Sequence, residues 1–538
     1  MADLRADIVV IGAGPTGAIA AYRLAKAGRD VLIVERGDWT DYPALRRNDA
    51  DWERRKQGPL NANPNIRAGP ADDPIDDADT PIKPMIGNAV GGGSVWWSAH
   101  VPRSRPEDFR TRTLDGVGED WPVGYDDLAS YYAEVEALWG VASVAGDPSS
   151  AAGDPSAVPD RNGPFQPMPS IGAHGRRIAA ALDRLGWHWW PVDRVVGHGE
   201  GPRCTHPGPC ELGCPSRIRS SADRLVARAQ DFGARLSTGT RVLRLETDST
   251  DRVVAALCRC GDETFRIEAE TFVLAANGIG TPRLLLLSAN PRFPDGLANR
   301  SGLVGRGLML HPYGRIDGLF NEPLGAWALH EIAGIVSLEF LPTHPASGAV
   351  RGVKLQLAAG PGAASLARGA GHGTPIGWGK RHHGEMDARF DRICGFTVCA
   401  EDLPDNENRV ELSDRLFDRD GLPAARMVYR VSDNSRALLD HGLDRAGEAL
   451  KEEGAIHLHR TPLRDQAGFH LMGTTRMGTD PERSVTDPSG RCHDVPNLVI
   501  VDASTFVTAS CLNPTATAQA LALRTADAVL AGAKTPQL

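Results

Sequence analysis

The chain has 538 residues, too many for one simple core; roughly 150 residues per domain gives three or four units, and interwoven domains reduce that to two or three. Its 41% hydrophobic and 24% charged residues are those of a globular protein and exclude a fibrous or disordered chain. Lys and Arg number 59 against 68 Asp and Glu, and the net charge of −9 argues against nucleic-acid binding, because phosphate contacts need a basic face.

No apolar run reaches the roughly 18 residues of a membrane span. The opening Met-Ala-Asp-Leu-Arg-Ala-Asp leads directly into an apolar strand, with no signal-peptide pattern, so the expected compartment is the cytoplasm. Residues 7–11 (DIVVI) read as a strand buried on both faces. Gly12-Ala-Gly14-Pro-Thr-Gly17 follows, then the helical AIAAYRLAKAG and a second strand, DVLIVE, ending at Glu35. In such a β-α-β unit Gly12 permits the tight turn, Gly14 lets the backbone approach a pyrophosphate, and Gly17 lets helix and strand pack closely. The helix start presents its positive end to the phosphates, and Glu35 stands where an acid binds ribose hydroxyls. The unit implies dinucleotide binding but does not separate FAD from NAD.

Residues 38–82, with the acidic PADDPIDDADTP, read as a solvated surface excursion. A second glycine turn, Gly91-Gly92-Gly93-Ser94, follows. Residues 124–140 have helical spacing of apolar positions, and 143–170 read as loop. Residues 234–277 alternate like antiparallel strands returning to the sheet. Residues 358–386 are Gly-rich, as a mobile loop or lid would be. From residue 498 the chain reads strand, loop, and a helix from Pro514 to about Ala531. Nine cysteines, an odd number, argue against a fully paired disulfide framework.

Several segments, in order, resemble the glucose–methanol–choline (GMC) oxidoreductases. They are AVGGGSVWWSAHVPR (89–103), the W-P-x-x-Y-D-D-L-x-x-Y-Y pattern in 120–136, TFVLAANGIGTPRLLLLSAN (271–290), SGLVGRGLMLHP (301–312) and the C-terminal HLMGTTRMGTDPERSVTD with PNLVIVDASTFVTASCLNPTATAQALALR. The likeness is strongest to bacterial FAD-dependent glucose and glycoside dehydrogenases and to pyranose oxidase-like enzymes. It implies an α/β fold: a Rossmann-like FAD domain (1–105, 195–315, 465–538) and a discontinuous substrate domain (106–194, 316–464) with an antiparallel sheet over the flavin. It implies oxidation of a sugar, glycoside or related alcohol by hydride transfer to flavin N5, with oxygen or another electron acceptor closing the cycle. The base would be His470, sharing the substrate hydroxyl with Asn513. The residues alone also allow a structural His470 and an Asn513 that caps the helix opening at Pro514. Beside the flavin the resemblance places Val242, Asp502, Pro514 and Thr515, while His311 and His493 are given structural roles. A flavin monooxygenase would need a second GxGxxG for its nicotinamide cofactor, and none follows a mid-chain strand.

Where pyranose oxidases carry a flavin-linking histidine in S-T-H-W, this chain has Ser94-Val95-Trp96-Trp97, and His100 comes several residues later. Non-covalent FAD is therefore expected. Cys204, Cys210 and Cys214 resemble the segment of glucose dehydrogenase catalytic subunits that binds a three-iron (3Fe-4S) cluster. Three close thiolates suit such a cluster. They also allow a vacant loop, a disulfide between two of them, or a zinc site that uses His206.

Overall fold

The computed structural model describes residues 4–45, 52–147, 163, 165–196, 214, 216–327 and 334–532. A seven-stranded sheet holds β5 (Arg235–Ser237), β2 (Val31–Val34), β1 (Leu4–Ile11), β8 (Glu263–Leu274), β7 (Val253–Cys260) and β6 (Thr240–Thr247) in that order, with β16 (Leu498–Ile500) also on β8. Its centre is parallel: β1 pairs with β2 on one side and β8 on the other. β2 is wholly apolar, and β1 is apolar and buried over Ile8–Ile11, because both faces of a parallel sheet are covered. The 12-residue β8 serves two neighbourhoods. Its first half pairs antiparallel with β7, while its last residues run parallel between β1 and β16.

A six-stranded sheet follows the order β15 (His457–Thr461), β9 (Tyr313–Leu319), β12 (Ile393–Ala400), β11 (Val353–Ala358), β10 (Ile335–Ser337) and β4 (Trp190–Pro191), with every neighbour antiparallel. Side chains alternate across a strand. On β11 Val353, Leu355 and Leu357, and on β12 Cys394, Phe396, Val398 and Ala400, pack with Leu438, Leu439, Leu443 and Leu450 of the helix Asp433–Glu452. The opposite positions, Lys354, Gln356 and Thr397, are polar yet buried, which makes that face the roof of an interior site.

A third sheet joins β13 (Arg409–Phe417), β14 (Pro423–Val428) and β3 (Ile75–Asp79). It corrects the reading of PADDPIDDADTP as solvated. Asp73 is buried against Arg36 (2.6 Å), Arg241 (2.7 Å) and Arg283 (2.9 Å), and Asp76 pairs with Arg415 (2.7 Å). These arginines come from distant segments, so local composition carried no sign of them. Residues 358–386 hold two short helices, Ala363–Ala367 and His382–Asp387. The first is pinned by Glu53, which accepts from the backbone N–H groups of Ala364 and Ser365. Among the described residues no helix is long and apolar enough to cross a membrane.

Candidate active site

A cavity of about 390 Å³ opens at the carboxyl ends of the parallel strands, where Ile11, Val34 and Ala275 line it. Its floor is the two glycine turns. Gly12 has φ +108°, and a Cβ there would lie 2.5 Å from the carbonyl oxygen of Ala275. One on Gly17 would meet the Gly12 carbonyl oxygen at 2.0 Å. Gly14 differs: the nearest atom to its would-be Cβ is the Gly92 Cα at 3.9 Å, so the space above it is open to a ligand. Gly92 sits back to back with Gly14, and Gly91 N–H donates to the Ala13 carbonyl at 2.9 Å. The second turn is thus built onto the first. Ser94 Oγ donates to the Gly91 carbonyl (2.5 Å) and accepts from Ala222 N–H (2.8 Å). Gly12, Gly14, Gly92, Gly93, Ser94, Glu35, Val242, Asp502, Pro514 and Thr515 all line the cavity. Gly17 and Gly91 stand behind it as packing positions.

Glu35 accepts from the N–H groups of Ala13 and Gly37, each at 2.9 Å, and burial raises its pKa. Asp502 accepts from Asn277 N–H (3.1 Å), Thr281 Oγ1 (2.5 Å) and Ser504 N–H (2.9 Å), so it ties the strand ends together. The helix Thr515–Gly532 opens onto the cavity through Pro514 and Thr515. Open glycine backbone, a helix start and a buried acid at a strand end suit a dinucleotide cofactor.

The far end of the cavity holds the chemistry. Asn513 Nδ2 lies 3.5 Å from His470 Nε2, although 43 residues separate them. Behind His470 stands His311, with the two Nδ1 atoms 2.7 Å apart and the rings at 88°. His311 Nε2 is 2.6 Å from the carbonyl oxygen of Ser510, which can only accept, so Nε2 carries the proton. Burial first, and then the Lys354 charge, lower the His311 pKa to about 3, so the ring is neutral and its Nδ1 is an acceptor. His470 therefore donates from Nδ1 and keeps a lone pair on Nε2, facing Asn513. Its pKa is also pushed well below the ordinary value, by burial first and then by the electrostatic cost of a second positive charge beside His311, Lys354 and His100. A neutral imidazole with a fixed tautomer is a competent base.

The structural reading of His311 thus misses its contact with His470. Lys354 went unnoticed in the sequence. It is 1% exposed and donates to Asn513 Oδ1 at 2.6 Å. Its alternation with Val353, Leu355 and Leu357 was the available signal. Tyr313, Gln356, Thr397, Arg464 and Phe469 line the cavity around His470. Trp96, Trp97 and His100 line it as well. Cys511 is fully buried outside the lining, and His493 bonds Ser484 Oγ at 2.9 Å.

Cys204, His206 and Cys210 lie outside the described residues. Cys214 is buried with Val196 and Ile218. Among the described residues no group of three His, Cys, Asp or Glu side chains is placed to hold a metal, so the expected cluster gains no support.

Two family models, both described as GMC oxidoreductase, match residues 6–313 and 404–522. The chain is 38% identical to 2-methyl-1,2-propanediol dehydrogenase of Mycolicibacterium austroafricanum, over 97% of this chain and 94% of that protein. It is 31% identical to the fructose dehydrogenase large subunit of Gluconobacter japonicus, over 98% of each. Among solved structures, pyridoxine 4-oxidase from Mesorbium loti shares the fold, with a TM-score of 0.63 at 17% identity, over 98% of this chain and 99% of that one. The protein belongs to the GMC oxidoreductase family, FAD-binding α/β enzymes that oxidise the hydroxyl groups of alcohols, sugars and glycosides.

Proposed function

We propose that the protein oxidises one hydroxyl of a small polyol, sugar or glycoside that carries no positive charge, with His470 as base and Asn513 as hydrogen-bond donor. The lone pair on His470 Nε2, held toward Asn513 Nδ2 by the His311 contact, carries the reading. A substrate hydroxyl between them donates its proton to Nε2, while Asn513 Nδ2 donates to the oxygen as charge develops there. Bound FAD supplies the hydride acceptor. It would be held by the glycine turns, Glu35 and the start of the helix Thr515–Gly532. Tyr313, Gln356 and Thr397 offer hydroxyl and amide groups suited to further substrate hydroxyls.

Charge narrows the class. The acids lining the cavity among the described residues are Glu35, Asp73 and Asp502, each already committed to backbone, hydroxyl or arginine donors. Among the described residues nothing acidic remains for an ammonium, while Lys354 donates to Asn513 and Arg464 lines the cavity. An aminoglycoside suits this site less than a neutral diol or sugar. The test is anaerobic bleaching of the flavin by 2-methyl-1,2-propanediol, fructose and paromamine, then reoxidation by oxygen or a dye. Bleaching by paromamine alone would overturn the charge argument.

Three finer expectations stay with this reading. FAD is held without a covalent bond, supported by the absence of histidine from Ser94–Trp97, and acid precipitation should release all yellow colour. Residues 1–105, 195–315 and 465–538 form the FAD domain and 106–194 with 316–464 the substrate domain. In support, β1, β2, β5–β8 and β16 fall in the first set and most of the six-stranded sheet in the second. A three-iron cluster on Cys204, Cys210 and Cys214 rests on the resemblance of that segment to the glucose dehydrogenase catalytic subunits, and an iron assay after anaerobic reconstitution decides it.

A further inference from the structure

We infer that Lys354 is a positioning residue for the reaction: it fixes the amide of Asn513 as a donor toward the substrate oxygen and supplies a fixed positive charge beside it. The inference rests on His470 and Asn513 acting as proposed above.

An asparagine amide can present either its oxygen or its nitrogen to a neighbour, and only the hydrogen-bond network selects the face. Lys354 has only donors. Its Nζ lies 2.6 Å from Asn513 Oδ1, so the oxygen must face the lysine and Nδ2 must face His470. The reverse orientation would set N–H groups against an ammonium. It would also leave Oδ1 facing the lone pair of His470 Nε2, with no donor for the substrate oxygen. Asn513 stands two residues before the helix Thr515–Gly532, and the bond to Lys354 holds its side chain at the site.

The lysine is held there by its own strand. Lys354 and Gln356 occupy the inner face of β11, while Val353, Leu355 and Leu357 anchor the outer face in the core. Lys354 also lines, with Asn513, Arg105 and Leu512, a small cavity of about 30 Å³, room for about one water. Its charge bears on both histidines. The groups facing His470 from the surrounding elements are His311, Tyr313, Lys354 and His100. Of these, Lys354 brings the ammonium. It disfavours a protonated His470 before the reaction and favours negative charge on the substrate oxygen during it.

The test uses FAD-loaded Lys354→Met, Lys354→Gln, Asn513→Ala and the double variant Lys354→Met/Asn513→Ala, with FAD content and melting temperature as controls. Lys354→Met removes donor and charge, and should slow anaerobic flavin reduction about 10–100-fold, the worth of a hydrogen bond to a charged group. The double variant should be slower than Asn513→Ala by less than Lys354→Met slows the parent, because the amide's share of the lysine effect is already gone and only the charge's share remains. Lys354→Gln keeps a donor without the charge, so it should retain more of the rate than Lys354→Met. In both Lys354 variants the acid limb of the pH profile should move to higher pH, and NMR of labelled histidine should show the His470 titration moving the same way. The inference is overturned if the Lys354 and Asn513 effects multiply, if the Gln and Met variants are equally slow, or if the His470 titration stays in place. Should Lys354→Met fail to fold, the rate and titration of Lys354→Gln decide alone. Failure of the underlying reading looks different: His470→Ala would then reduce its flavin at the normal rate.

Discussion

His470 and His311 meet through their Nδ1 atoms at 2.7 Å, and the Ser510 carbonyl at the far side of His311 decides which of the two carries the shared proton. A single backbone acceptor thus sets the tautomer of the base one ring away. His311→Phe keeps the ring's bulk but removes the acceptor for His470 Nδ1–H. Flavin reduction should fall roughly 10²–10⁴-fold, up to the size of a wrong-tautomer defect. Stopped-flow absorbance under anaerobic conditions measures it, and an unchanged rate would show that the contact does not orient the base.

His470→Ala removes the base itself. Reduction should slow by roughly 10²–10⁴-fold, the usual worth of a positioned base. FAD content should hold, because the glycine turns lie at the other end of the cavity. Bound flavin per chain and the reduction rate, measured on one preparation, separate the two effects.

The pH dependence follows from the direction of the shift. The His470 pKa lies well below the ordinary histidine value because burial, and then neighbouring positive charge, disfavour the imidazolium. The base form is therefore present at neutral pH and is lost only as pH falls through the depressed value. The rate of flavin reduction should be flat from about pH 8 to below about 6.5, where an unperturbed histidine would already be half protonated. A limb centred near 6.5 would contradict the burial argument.

The glycines of the first turn should part company. A Cβ on Gly17 collides with the Gly12 carbonyl, whereas one on Gly14 meets nothing nearer than 3.9 Å. Gly17→Ala should lower the melting temperature of the FAD-free protein. Gly14→Ala should leave it unchanged yet weaken FAD binding, since the methyl enters only the ligand's space. Calorimetry of the FAD-free protein and FAD titration distinguish the outcomes.

Asp402 offers a stability test away from the site. It is buried, accepts from Tyr429 OH (2.7 Å) and Leu310 N–H (3.0 Å), and burial raises its pKa to about 7. A carboxyl raised above its unfolded value favours the fold at low pH and loses that contribution as pH climbs through about 7. Asp402→Asn cannot ionise, so its melting temperature relative to the parent should rise between about pH 5 and 8. A constant difference would mean that Asp402 does not take up charge there.

What the sequence determined by itself was local. The strand, glycine turn, helix, strand and Glu35 follow one another within one β-α-β unit, and each glycine answers a backbone need set by its neighbours. The alternation in 234–277 announced β5–β8 for the same reason. What only the tertiary structure decided depends on groups far apart in the chain. Asp73 and Asp76 look solvated until Arg241, Arg283 and Arg415 arrive. His311 looks structural until the fold sets it against His470, 159 residues away. Lys354 meets Asn513, 159 residues away, only once the six-stranded sheet has closed over it. A side chain's charge, tautomer and orientation are set by the atoms it meets. Chain order alone does not say which atoms those are.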